Sequence, residues 1–181
     1  MIRRLSDLWY DSPLGFWLVA VACLYFLVMA VRLTVIDVQS HLLPNRIVFP
    51  SYAVAGVLLL TAALAASMAG AAPEPAGALL GVPGLGVLAG GVGLWLFYFV
   101  LRLIHPPGMG FGDVKLAGVL GLYLGYLGWT HLFAGTFAAF LLGGLWSLAI
   151  LSTRKGTLRS AIPFGPFMLA GAVAAMVLLP A

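Results

Sequence analysis

Five carboxylates are present in the chain, and two of them sit where carboxylates are expensive. Asp7 and Asp11 lie in the N-terminal tail and Glu74 in an expected outside loop, whereas Asp37 closes one apolar run and Asp113 opens another. A charge near hydrocarbon costs a few kcal/mol on insertion scales, so an acid there normally faces a polar interior and is a functional candidate. If packed helices bring Asp37 and Asp113 together, the two cannot both ionise comfortably. They then hold one proton between them, and their apparent pKa values belong to the pair.

Such a pair suits peptide hydrolysis. The ionised member takes a proton from water while the protonated member hydrogen-bonds the scissile carbonyl and stabilises the charge that develops there, with no metal or covalent intermediate required. Gly110 and Gly112 remove side-chain bulk just before Asp113, letting an extended substrate or an opposing helix approach the backbone. The plainer alternative is that Asp113 is a helix N-cap and Asp37 a solvated loop residue. Lys115 stands two positions after Asp113, a spacing that does not place side chains face to face, so it reads either as a headgroup-seeking cation or as a substrate or structural hydrogen-bond donor at the site.

The elements that must position these acids are membrane helices. Of the 181 residues 63% are hydrophobic and 8% charged, and the mean hydropathy is +1.12, which makes lipid the solvent. The expected fold class is all-α, a polytopic helix bundle forming one domain over residues 1–181. Six spans are expected at about 14–36, 47–70, 79–104, 113–128, 130–151 and 162–180. Pro73-Glu74-Pro75, Pro106-Pro107 and Arg154-Lys155-Gly156 mark joints, and no internal repeat is visible. Gly118, Gly121, Gly125 and Gly128 leave one face of the fourth span nearly bare, so another helix can come close. The third span is glycine-rich as well, from Gly81 through Gly93.

Charge sets the orientation. Six spans place Arg32, Arg46, Arg102, Lys115, Arg154, Lys155 and Arg159 on one side and only Arg3 and Arg4 on the other, which predicts that the first side is cytoplasmic. Arg3 and Arg4 dissent, as an interfacial N-terminal segment would. The formal charge of +4 is scattered, not clustered as nucleic-acid binding requires, so lipid is the expected partner and nucleic acid is not. Cys23, the one cysteine, lies in an apolar run that continues to Ile36, which favours an intact span over a cleaved signal segment. His41, His105 and His131 have no metal-ligand spacing and read as interfacial polar residues. Trp17, Trp95, Trp129 and Trp146 read as interface anchors or packing groups.

The order and spacing of three segments resemble the type IV prepilin peptidase family, whose pattern pairs an Asp followed by a Leu-Pro element with a later Gly-x-Gly-Asp. The first segment runs from Asp37 to Leu43-Pro44-Asn45, the second is Gly110-Phe111-Gly112-Asp113, and Ile162-Pro163-Phe164-Gly165-Pro166-Phe167 looks like the family's last-span signature. The resemblance implies an aspartic endopeptidase of the bacterial inner membrane. It would remove the basic leader of prepilins or pseudopilins at the cytoplasmic face, with Asp37 and Asp113 at the catalytic positions. Pro44, Asn45, Gly110, Gly112 and Lys115 would support the motifs or the substrate. Asn45 departs from the second acid many bacterial members carry after the proline. The large members also resemble a fusion with a cysteine-containing segment that methylates the new amino terminus; this chain has no cysteine cluster. Cleavage without methylation, and no need for S-adenosylmethionine or another cofactor, is therefore expected, and methyl transfer from a labelled donor would contradict it.

Two rival readings share parts of this pattern. A presenilin-like protease also uses Gly-x-Gly-Asp but cuts inside a substrate's helix; Leu43-Pro44-Asn45 and the lack of a Tyr before Asp37 speak against it. A proton-coupled transporter would show repeated halves and acids at mid-membrane, and neither is apparent.

Overall fold

The computed structural model describes residues 1–40, 43–70, 79–80, 82–152 and 163–180. His41, the Pro73-Glu74-Pro75 joint, Gly81, the Arg154-Lys155-Gly156 joint, Arg159 and Ile162 lie outside the described residues. Within them the chain forms seven α-helices: α1 (Ile2–Asp11), α2 (Pro13–Ser40), α3 (Asn45–Met68), α4 (Leu85–Ile104), α5 (Phe111–Leu127), α6 (Trp129–Ser152) and α7 (Gly165–Leu178), with a 3-10 turn at Pro106–Gly108. The fold is an all-α polytopic membrane bundle in which α2 to α7 follow the six expected spans. By length and composition α2, α3, α4 and α6 can each cross a membrane, while α7 is a shorter apolar helix. Large apolar side chains such as Leu24, Leu27, Val28 and Val31 stay exposed along α2. Lipid suits such a surface as water does not.

Residues with side chains suited to each junction set the ends. The Gly15 N–H donates to Ser12 Oγ at 3.3 Å, an N-cap bond, and Pro13 fits the first helical position of α2. α1 is strongly amphipathic, burying Leu8 and exposing Trp9 and Tyr10, so the N-terminal segment is helical and lies against the bundle. The third span starts at Leu85 instead of 79, because Leu79 pairs with Val82 in an isolated bridge and Gly84 turns with φ +76°. Such a left-handed residue breaks a helix at little cost only where it is glycine.

α5 is the axle of the bundle. Val114 and every residue from Leu116 to Tyr126 are buried, and α3, α4, α6 and α7 all pack on it. A helix apolar on all sides is a buried one, which explains how this 17-residue helix, about 25 Å long at 1.5 Å per residue, serves without spanning lipid by itself. Its glycine face meets the glycine-rich α4. A Cβ placed on Gly90 would lie 2.5 Å from the Gly121 carbonyl oxygen and 2.7 Å from Gly125 Cα. Gly118 instead lies under the Tyr52 hydroxyl, and Gly128 ends the helix with φ +111°.

One expectation changes. His131, expected as an interfacial polar residue, is 2% exposed in the first turn of α6 and so faces the bundle. Trp17, Trp129 and Trp146 are exposed on the surface, whereas Trp95 is half-buried and stacks on Phe99 at 5.0 Å, a packing role.

Candidate active site

Asp37 does not lie in a solvated loop. α2 continues to Ser40, whose hydroxyl donates to the Ile36 carbonyl at 2.8 Å, so Asp37 stays inside the helix and is 4% exposed. Its carboxyl lies against the first residue of α7: a Cβ on Gly165 would sit 2.6 Å from Asp37 Oδ2 and 3.3 Å from Cγ.

Asp113 is not an N-cap either. Gly110 is the N-cap of α5, in extended backbone at φ −67° and ψ 146°, and Asp113 occupies the third helical position. Its N–H donates to the Gly110 carbonyl at 3.2 Å, and its carboxyl folds back so that a Cβ on Gly110 would lie 3.4 Å from Oδ2. An acid at this position turns naturally toward the open end of its own helix. Asp113 is half-buried and lies within electrostatic reach of the Asp37 carboxyl. Two residues 76 positions apart thus share one end of the bundle.

Leu43 joins the two halves of the site. A Cβ on Gly112 would lie 3.0 Å from Leu43 Cβ, and one on Gly165 3.7 Å from Leu43 Cδ2. Gly112 therefore gives up its side chain to let Leu43 in. Pro44 follows in extended backbone as the N-cap of α3, at φ −70° and ψ 128°; a residue before proline is itself steered away from the helical region, so the Leu43-Pro44 pair starts the helix cleanly.

Asn45 and Lys115 tie α3 to α5. Lys115 Nζ donates to Asn45 Oδ1 at 2.9 Å and lies 4.8 Å from the Phe111 ring centre and 5.1 Å from that of Phe49. Arg102 covers Phe111 too, at 5.0 Å, and donates to the Met109 carbonyl at 3.3 Å. Lys115 is thus a structural donor rather than a cation reaching only for headgroups. An exposed hydrogen bond contributes little, so Asn45→Ala should destabilise by about 1 kcal/mol or less, and Lys115→Ala by more, because it also removes the contacts with Phe111 and Phe49. Because both remove the same bond, their double mutant should cost less than the sum. Additive losses in thermal unfolding would show that the bond contributes nothing.

Sequence reasoning missed three participants. Leu43 was part of a motif but not of the site, Tyr52 donates to the Lys115 carbonyl at 2.6 Å, and Gly165 faces Asp37. A phenol inside the apolar third helix is the signal for Tyr52, and Gly165 stands in the sequence only as part of the last-span signature, with no role of its own. Among the described residues no three His, Cys, Asp or Glu side chains cluster as metal ligands do.

Comparison with known proteins bears on this geometry. The profile of the type IV leader peptidase family matches residues 22–148. The chain is similar to a prepilin leader peptidase/N-methyltransferase of Aeromonas salmonicida, 32% identical over 139 residues, covering 76% of this chain and 42% of that protein. It is similar to proteins of the same name from Burkholderia pseudomallei, 29% identical over 147 residues (80% of this chain, 42% of that protein), and Bacillus subtilis, 30% identical over 150 residues (83% and 52%). The chain spans about half or less of the length of these relatives. No solved structure matches it.

Proposed function

Because the chain belongs to the type IV leader peptidase family, we propose that it is a membrane aspartic endopeptidase acting on prepilin or pseudopilin-like substrates, with Asp37 and Asp113 as its catalytic pair. The observation that carries this reading is that a buried acid from α2 and an acid at the start of α5 lie at one end of the bundle, linked through Leu43 and flanked by Gly110, Gly112 and Gly165.

The chemistry follows from one shared proton. The ionised carboxyl takes a proton from water as the water oxygen bonds to the scissile carbonyl carbon, and the protonated carboxyl donates to the carbonyl oxygen. The tetrahedral species then collapses: the carbon–nitrogen bond breaks, and the proton taken from water passes to the leaving amine. Each turnover restores one proton to the pair. Pro44, Asn45 and Lys115 serve by fixing the start of α3 against that of α5.

The same reading places the protein in the bacterial inner membrane with this end of the bundle facing the cytoplasm, since Arg32, Arg46, Arg102 and Lys115 lie toward it. A prepilin offers a basic leader joined to an apolar helix, and its junction meets the interface at that depth.

Mapping the cut tests the assignment. Purified enzyme incubated with a prepilin in proteoliposomes should release the intact leader by a single cut at its junction with the apolar helix, read by mass spectrometry. A cut deep within the apolar helix would favour the presenilin-like alternative. Uptake of solute without any cut, dependent on Asp37, would favour a transporter.

A further inference from the structure

Gly165 belongs to neither acidic motif, yet it touches both halves of the site. It is the first residue of α7 and is buried, with ordinary helical backbone. No positive φ demands glycine there, so the demand comes from space. The space is taken by the Asp37 carboxyl, 2.6 Å from a Cβ placed at this position, and by Leu43 Cδ2 at 3.7 Å. Leu43 in turn packs on Gly112, the residue before Asp113. A buried carboxyl three residues from the end of its own helix thus has the α7 backbone as its wall, and one leucine connects that wall to the other acid.

We propose that Gly165 is the positioning residue of Asp37, and that the start of α7, through Leu43, fixes the separation of the two carboxyls. The inference rests on the catalytic pair proposed above. Its distinctive consequence comes from which atoms a methyl group meets. At Gly165 the obstructing atom is the end of a rotatable side chain, so Gly165→Ala should fold with Asp37 turned away. At Gly171, on the same helix, a Cβ would lie 2.6 Å from the Ala139 backbone nitrogen and 2.6 Å from the Gly135 carbonyl oxygen. Backbone cannot rotate aside, so Gly171→Ala should cost stability and leave the acids alone.

The experiment compares these two variants and Gly144→Ala, whose added methyl meets nothing within 4 Å, in three readouts normalised to folded protein. For Gly165→Ala we expect kcat on a prepilin to fall about 100-fold, as a misplacement of about 1 Å does, with KM unchanged. The two flanks of its pH–rate profile should move relative to one another by about half a unit or more, because their spacing reports the coupling of the pair. Carbodiimide labelling of Asp37, followed by mass spectrometry without any substrate, should change in rate while that of Asp7 does not. Gly171→Ala should lower thermal stability with profile and labelling unaltered, and Gly144→Ala should match wild type throughout. The labelling arm reports on Asp37 even if wild type cleaves no prepilin, so failure of the proposed activity is distinguishable from failure of this inference. Wild-type kcat and Asp37 labelling in Gly165→Ala, or a loss of activity merely proportional to lost folded protein, would overturn it.

Discussion

Asp37→Asn and Asp113→Asn, coexpressed with a prepilin, should each leave the leader uncut, with kcat/KM lowered by about 10³-fold or more against the 10²–10⁴-fold typical of general acid–base catalysis. Asparagine keeps the size of the side chain and a hydrogen-bonding oxygen, so the inserted protein should persist in the membrane at wild-type amounts. Neither amide can accept the proton from water, and neither can return one to the leaving amine. The double mutant should be no worse than either single one, because residues that act as a unit lose their whole contribution at the first substitution. In wild type the rate should fall at both pH extremes: at low pH a second proton removes the base, and at high pH loss of the shared proton removes the acid. A single asparagine variant retaining a tenth of wild-type cleavage per inserted molecule would remove that residue from the chemistry.

The two acids were legible in the sequence because lipid makes charge costly. An apolar chain with so few carboxylates announces any it places at a span end. The glycine face of α5 was legible for a related reason, since bare backbone at helical spacing in an apolar run has little use except close approach. What stayed hidden depended on partners far along the chain. Nothing local says that α2 continues past Asp37 to Ser40, or that Asp113 stands three positions into its helix with Gly110 as the cap. Nor does the spacing of Lys115 reveal that Asn45, 70 residues away, will receive its hydrogen bond. Gly165 is the clearest case, because its requirement for space arises from a side chain on a helix more than a hundred residues earlier.

The bundle's rigidity should rest most on the contact between α4 and α5, and Gly121→Leu should show it. A Cβ on Gly121 would collide with the Gly90 carbonyl oxygen and lie 2.8 Å from both Gly90 C and Gly91 Cα, all of them backbone atoms. The smaller Gly121→Ala already forces two helices to separate, which by the usual cost of overpacking amounts to about 1–3 kcal/mol. Leucine adds three more carbons, and native stabilities are themselves only about 5–15 kcal/mol, so most of the folded population should be lost. The damage would reach the start of α5 as well, since the last turn of α4 carries Arg102, which holds Phe111 and the Met109 carbonyl just ahead of Asp113. Gly56→Ala is the matched comparison: it sits in α3 with nothing within 4 Å of the added carbon and, as a glycine replaced within a helix, should be neutral or stabilising by up to about 1 kcal/mol. Thermal unfolding in detergent, read alongside membrane abundance, decides the matter. A Gly121→Leu protein that unfolds at the wild-type temperature would mean that α4 and α5 do not meet through their glycines.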